Sequence, residues 1–257
     1  MNSTIEHFVQ KDSIVRTIWG KSDTILFIFA GSAAEFALNK AVDWLYFTGK
    51  LPADPLGRLF STVTYAREIV FSDRGKAHAA IDKITAIHAA VEKGRAAKIP
   101  DWAYRDVLFM LIHYSIASFE LLERKLSDEE KDEVYDVFLR LGTRMNLSEL
   151  PVNYTNWLIS REKHLEADLV KSKYTIDLYK QYKKHLGAFR FKLLVESQKL
   201  VVPAKARLLL GFNNTYWLKM VFPFYKLSRK IKLDGFIKSL ILPPEYKQQI
   251  NALDNAQ

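Results

Sequence analysis

Cysteine is absent from the 257 residues, which removes disulfide scaffolds, iron–sulfur clusters, thiolate-ligated zinc or haem, and cysteine nucleophiles together. Histidine, carboxylates and hydroxyls are left to carry any metal or covalent chemistry. Glycine (10) and proline (8) are scarce, so collagen-like and low-complexity architectures are excluded. The amino terminus, MNSTIEHFVQKDSIVRTIWG, has no apolar segment of the secretory kind. Near the middle, the longest uncharged stretch, Val107 to Phe119, has 13 residues, too few to cross a hydrocarbon layer of about 30 Å as a helix. These absences predict a soluble, cytoplasmic protein. Motif signatures are missing as well: there is no GxGxxG, GxSxG or HExxH. Gly20-Lys21-Ser22 lacks the earlier glycine of a phosphate-binding loop, because position 15 is valine. None of the six histidines has a glutamate three residues before it, which argues against a ferritin-type di-iron bundle.

What is present suits a well-filled interior. Hydrophobic residues make up 49% of the chain and aromatic residues 13%, enough for a core that overcomes chain entropy. The net charge of +9 is uneven, since residues 180–240 carry fourteen Lys/Arg against Glu196 and Asp234. That block fits a phosphate, a membrane surface or another anionic partner, and fits equally a solvated face on basic helices. Within it, Lys226, Arg229, Lys230 and Lys232 are expected on exposed surface, because burying four neighbouring cations would cost far too much solvation.

Apolar residues recur at helical spacing, and Asn-Gly or Asp-Gly hairpin turns are scarce, so the pattern predicts an all-α fold. Ser72-Asp73 offers a cap, Gly94 a stop, and Ile81, Ile84, His88 and Val91 fall on one face between them. Asp101 is placed to cap a helix running through VLFMLIHYSIASFELLERKL, and Ser127 with Glu130 forms a capping box for a helix whose buried stripe is Val134, Phe138 and Leu141. Pro151 closes that region. Residues 155 to 200 read as one long or two medium helices, and Pro203, Asn213-Asn214, Pro223 and Pro243-Pro244 divide the rest. With no repeat and no flexible linker, residues 1–257 are expected to form a single domain.

Two histidines stand in unusually apolar helical surroundings, His88 in AIDKITAIHAAVEKG and His113 in VLFMLIHYSIAS. An imidazole is costly to bury without a partner. Either each ring bonds a core carbonyl, or one is an axial ligand to haem iron.

The succession DPLGRLFSTVTYAREIVFSD, IDKITAIHAAVEKG and WAYRDVLFMLIHYSIASF resembles the superfamily of the bacterial latex clearing protein (rubber oxygenase) and the fungal oxygenase of mycophenolic acid biosynthesis. The resemblance rests on Arg58-Leu-Phe-Ser-Thr62, on His88-Ala89-Ala90-Val91 followed by Gly94, and on a second histidine, His113, 25 residues further on. In weaker form it extends from about residue 20 to 247. It implies a helical bundle with a globin-like core holding haem b, with His88 as the iron ligand and Arg58 and Thr62 as the family's Arg/Thr element beside the haem. Alternatively, Arg58 caps its own loop and Thr62 bonds its own backbone. His113 matches the second-helix histidine, and Ser115 keeps the hydroxyl where relatives carry threonine. Small neighbours, Ala86, Ala89 and Ala90, would let a flat macrocycle approach the His88 helix.

The chain also departs from that pattern. Ser61 stands where rubber-cleaving members carry a distal lysine, and residues 31–50 contain no His-Pro pair. Glu35, in AGSAAEFAL, is a candidate base for proton abstraction. The implied activity is a haem-b-dependent oxygenase (oxidoreductase) acting with O₂ on a small apolar substrate, unsaturated or terpenoid-like, for which Phe109, Met110, Tyr114 and Phe119 supply either a pocket wall or ordinary core. A non-catalytic haem carrier or sensor, and a haem-free helical protein binding membranes through residues 180–240, are the alternatives. Nucleic acid is not an expected partner.

Overall fold

The computed structural model describes residues 6–49 and 53–213, together with 218, 220 and 223–225; within these, nothing is said of the side chains of 55, 56 and 58–60. Ten α-helices are described: α1 (Ile14–Trp19), α2 (Ser22–Leu38), α3 (Asp43–Phe47), α4 (Pro55–Phe71), α5 (Arg74–Arg95), α6 (Asp101–Leu122), α7 (Asp128–Arg144), α8 (Tyr154–Asp168), α9 (Lys173–Val201) and α10 (Ala204–Leu210). A 3₁₀ turn, Lys40–Val42, links α2 to α3. No strand occurs among the described residues, only two isolated bridges, His7 with Asp73 and Asn39 with Leu169. The all-α expectation holds. Lys226, Arg229, Lys230 and Lys232 lie outside the described residues.

Helix α6 is the central rod. Its apolar run is buried on several sides, with Leu108, Phe109, Met110, Ile112, Tyr114, Ile116 and Phe119 all under 10% exposed. Each such side chain contributes about 1.5–3 kcal/mol through burial. The aromatic residues flanking His113 are therefore packed core. Against α6 lies α2, and the approach is close because Gly31 has no side chain: a Cβ there would stand 2.2 Å from the Tyr114 ring. On its other side α2 is covered by α9, whose Leu178 and Tyr182 pack on Ala33, Ala37 and Val42. Thr175 Oγ1 donates to the Ala37 carbonyl at 2.7 Å and Val170 N–H to that of Leu38 at 2.8 Å. Helices α4 and α5 pair with each other, and α7 joins α5 to α6.

Capping explains most boundaries. Asp73 accepts from Lys76 N–H to start α5, and Ser127 and Glu130 form the expected capping box on α7. Three details differ from expectation. Gly94 lies inside α5, which ends at Ala96 in left-handed conformation (φ 53°). Asp101 is the first residue of α6, not a cap, and its Oδ2 accepts from Ser148 Oγ at 2.7 Å. Residues 155–200 divide at 169–172 into α8 and α9, and α9 is itself kinked at Gly187 (φ 72°, ψ 170°), a backbone that favours glycine.

Candidate functional site

Helical phase decides which predicted residues meet. On α6, Asp106, Phe109 and His113 recur at spacings of three and four and share one face. On α8, Trp157, Arg161, His164 and Asp168 do the same. The two faces oppose each other: the Phe109 ring is 5.3 Å from that of His164 and 6.2 Å from that of Trp157. Helix α2 adds Glu35 and Asn39, one turn apart. The product is a buried polar seam between α2, α6 and α8.

At one end of the seam, Arg161 grips Glu35 through both oxygens, one pair at 2.5 Å, while Tyr114 Oη donates to Glu35 Oε2 at 2.8 Å. Glu35 and Arg161 are 1% and 4% exposed. Burial alone would lower the arginine, but the glutamate's charge and hydrogen bonds outweigh it and hold the guanidinium above its ordinary value. Burial, then the adjacent carboxylate, pushes the Tyr114 phenol far up, so it remains a donor. Both oxygens of Glu35 are thus engaged, and the arrangement accounts for a buried glutamate without proton abstraction.

His113 sits beside this pair. Desolvation, reinforced by the Arg161 charge and opposed by Glu35, lowers the imidazole to about 4, so the ring is neutral at pH 7. The backbone of Val201 on α9 acts in the opposite sense and more weakly. Nε2 is buried and has no hydrogen-bond partner among the described residues. Ser115 is fully buried and accepts from Trp19 Nε1 at 3.2 Å, a core contact.

At the other end, Asp106 Oδ2 accepts from Asn39 Nδ2 at 2.6 Å, and His164 Nδ1 lies 2.7 Å from both Asp106 Oδ1 and Asp168 Oδ2. The close approach of Asp106, with Asp168 behind it, raises His164 above its ordinary value, and burial raises Asp106. Arg161, His164 and Asp168 were not candidates from sequence; only His164-x-x-x-Asp168, one helical turn apart, offered a local signal.

His88 belongs elsewhere. It is half-buried on α5, with its ring 5.1 Å from Tyr104. Tyr104 and His113 are nine positions apart on α6, half a turn out of phase and about 13.5 Å along the axis. The two histidines therefore address different sides of the central helix. Ile84 and Val91, one turn to either side of His88, share its face and are half-buried with it, while Ala86, Ala89 and Ala90 are exposed and Ile87 is 42% exposed. Ser61 and Thr62 are half-buried on α4, the helix that packs on α5. Arg58 falls in the same helix, with its side chain outside the described ones. The structure thus divides the predicted residues into an α4–α5 group (Arg58, Thr62, His88) and a seam group (Glu35, His113), with Ser115 in the core.

A helical protein with one half-buried histidine on α5 and a second on the central helix α6 is the class defined so far. Comparison with known families makes it particular: residues 19–166 match the model of the ER-bound oxygenase mpaB/B'/Rubber oxygenase, catalytic domain. That match covers more than half of the chain, and the chain belongs to this family of oxygenase domains. It ends at 166, short of the resemblance expected to about 247. No curated protein and no solved structure matches the chain. No helix among the described residues is long and apolar enough to cross a membrane.

Proposed function

We propose that this oxygenase domain binds haem b through His88 and uses it with O₂ to oxidise a small apolar substrate. One observation of the structure supports the assignment beyond the family match: His88 is a half-buried imidazole on α5 that shares its helix face with Ile84 and Val91. A half-buried imidazole flanked on its own face by Ile84 and Val91 suits a flat apolar macrocycle whose iron takes one protein ligand. Haem, when bound, supplies the oxygen-activating chemistry. Thr62, on the packing partner of α5, and Arg58 one turn before it are the polar and cationic groups for the porphyrin edge or a bound oxygen species. His113 is neutral at pH 7 and its Nε2 has no hydrogen-bond partner among the described residues, so its part is to accept a hydrogen bond within the seam, apart from the His88 region.

The test is an absorption spectrum of the purified protein with and without added hemin, with His88→Ala and His113→Ala alongside. The expected result is stoichiometric, non-covalent haem in the wild type. His88→Ala should lose it or its nitrogen ligation, with partial rescue by imidazole, and His113→Ala should retain it. A protein that remains colourless with hemin while folded by circular dichroism would overturn the proposal. The reverse pattern of the two variants would exchange the roles of the histidines. Retained haem without O₂ consumption in the presence of an alkene would favour a carrier or sensor.

A second reading concerns a surface. Phe189 is 66% exposed on α9 among Lys183, Lys184, Arg190 and Lys192. An exposed aromatic within a cationic field suits peripheral contact with anionic lipid. Cosedimentation with anionic but not neutral liposomes tests it.

A further inference from the structure

We propose that Asp106, His164 and Asp168 form a binding site for a divalent transition cation. The site is separate from the His88 region and stands whether or not haem binds there. The three donor atoms, one imidazole nitrogen and two carboxylate oxygens from different residues, all lie within 4.8 Å of one another. They come from two helices that the surrounding packing already holds together, so the donors are gathered before any ion arrives.

The second observation is an imbalance in hydrogen bonding. Nδ1 of His164 carries at most one hydrogen, and its hydrogen bond goes to Asp168 Oδ2. Asp106 Oδ1 stands 2.7 Å from the same nitrogen but outside hydrogen-bond geometry, although the residue is only 2% exposed. A buried carboxylate oxygen left without a hydrogen bond is an expensive arrangement. A cation shared by the three atoms would satisfy all of them. The other carboxylate oxygen of Asp106 is already fixed by Asn39 Nδ2, as the outer partner of a metal ligand commonly is.

The donor set selects the ion. One imidazole and two carboxylates suit Zn²⁺, or Mn²⁺ and Fe²⁺, rather than a soft copper(I) site, and water would complete the coordination. Zinc ligands stand about 2.0–2.2 Å from the ion, so tetrahedral ligation calls for donor spacings of about 3.3–3.6 Å. The two spacings of 2.7 Å from His164 Nδ1 would open by roughly 0.6–0.9 Å to admit it. Access exists because the His164 and Asp168 side chains are each 15% exposed, while Asp106 is closed off at the base. Bound there, the ion would tie the carboxy-terminal end of α8 to the first turns of α6.

The experiment uses the full chain, stripped with a chelator and then titrated with Zn²⁺ and, separately, Mn²⁺ by equilibrium dialysis. One ion per chain is expected, with a higher thermal midpoint in its presence. Asp168→Asn and His164→Gln should each weaken binding at least ~10–100-fold. Asp168 closes α8 and its replacement is isosteric, so this variant decides the matter should His164→Gln not fold. No bound ion, or binding equally tight in the variants that fold, would overturn the site, the second result marking adventitious surface binding only. Haem content, read in parallel, should not change.

Discussion

Removing the carboxylate of Glu35 should damage the fold more than any chemistry. Glu35 and Arg161 are almost fully buried, with two contacts between them and a third from Tyr114. Deleting one member of such a pair leaves an uncompensated buried charge, at a cost of about 3–5 kcal/mol. For a chain of this size each kcal/mol moves Tm by about 2–4 °C. Glu35→Ala or Arg161→Ala should therefore lower Tm by roughly 6–20 °C, measured by circular dichroism and checked by guanidinium unfolding. Tyr114→Phe, which removes one hydrogen bond to a charged acceptor, should cost less, about 1.5–3 kcal/mol. The double replacement Glu35→Leu with Arg161→Met removes both charges at once and should be milder than either alanine variant. Single variants within about 0.5 kcal/mol of wild type would refute the reasoning, since that is the range of an exposed, unimportant pair.

Three further outcomes follow from the geometry. Gly31→Ala should destabilise by about 1–3 kcal/mol through overpacking, because the new Cβ would meet the Tyr114 ring at 2.2 Å; an unchanged Tm would show that α2 and α6 can separate freely. His113, lowered to about 4 when folded, contributes stability that is present above its unfolded value near 6.5 and is lost as pH falls through the folded one. Wild type should accordingly weaken between about pH 6.5 and 4 by more than His113→Gln does. His164 has the opposite sign: its raised folded value makes a contribution that is complete below about 6.5 and lost as pH rises. In chelator, unfolding midpoints of wild type and His164→Gln should converge toward high pH, and parallel curves would count against the pairing.

The fold class was legible because capping and periodicity are local. Asp73, Ser127 and Glu130 announce their helices within four residues, and Val134 and Phe138 mark the buried face of α7. The end of α5 was not, since Ala96 adopts a left-handed conformation that alanine does not advertise, while Gly94 two residues earlier does. The seam was hidden for another reason. Arg161 lies in ISREKHLEAD, a segment as polar as any surface helix, and only its meeting with Glu35, 126 positions earlier, makes it a core residue. Asp106 likewise looks like an ordinary helix acid until α8 is laid beside it. His88 and His113 are equally conspicuous in sequence, but their separation across α6 follows from phase and packing.

The packing of α9 bears on how the oxygenase domain is delimited. The family match stops at 166, yet the cover over α2 comes from Leu178, Tyr182 and Thr175. Excised at the boundary of the match, the segment would lose a wall of its interior. The carboxy-terminal helices thus act as an intramolecular subunit that completes the matched segment.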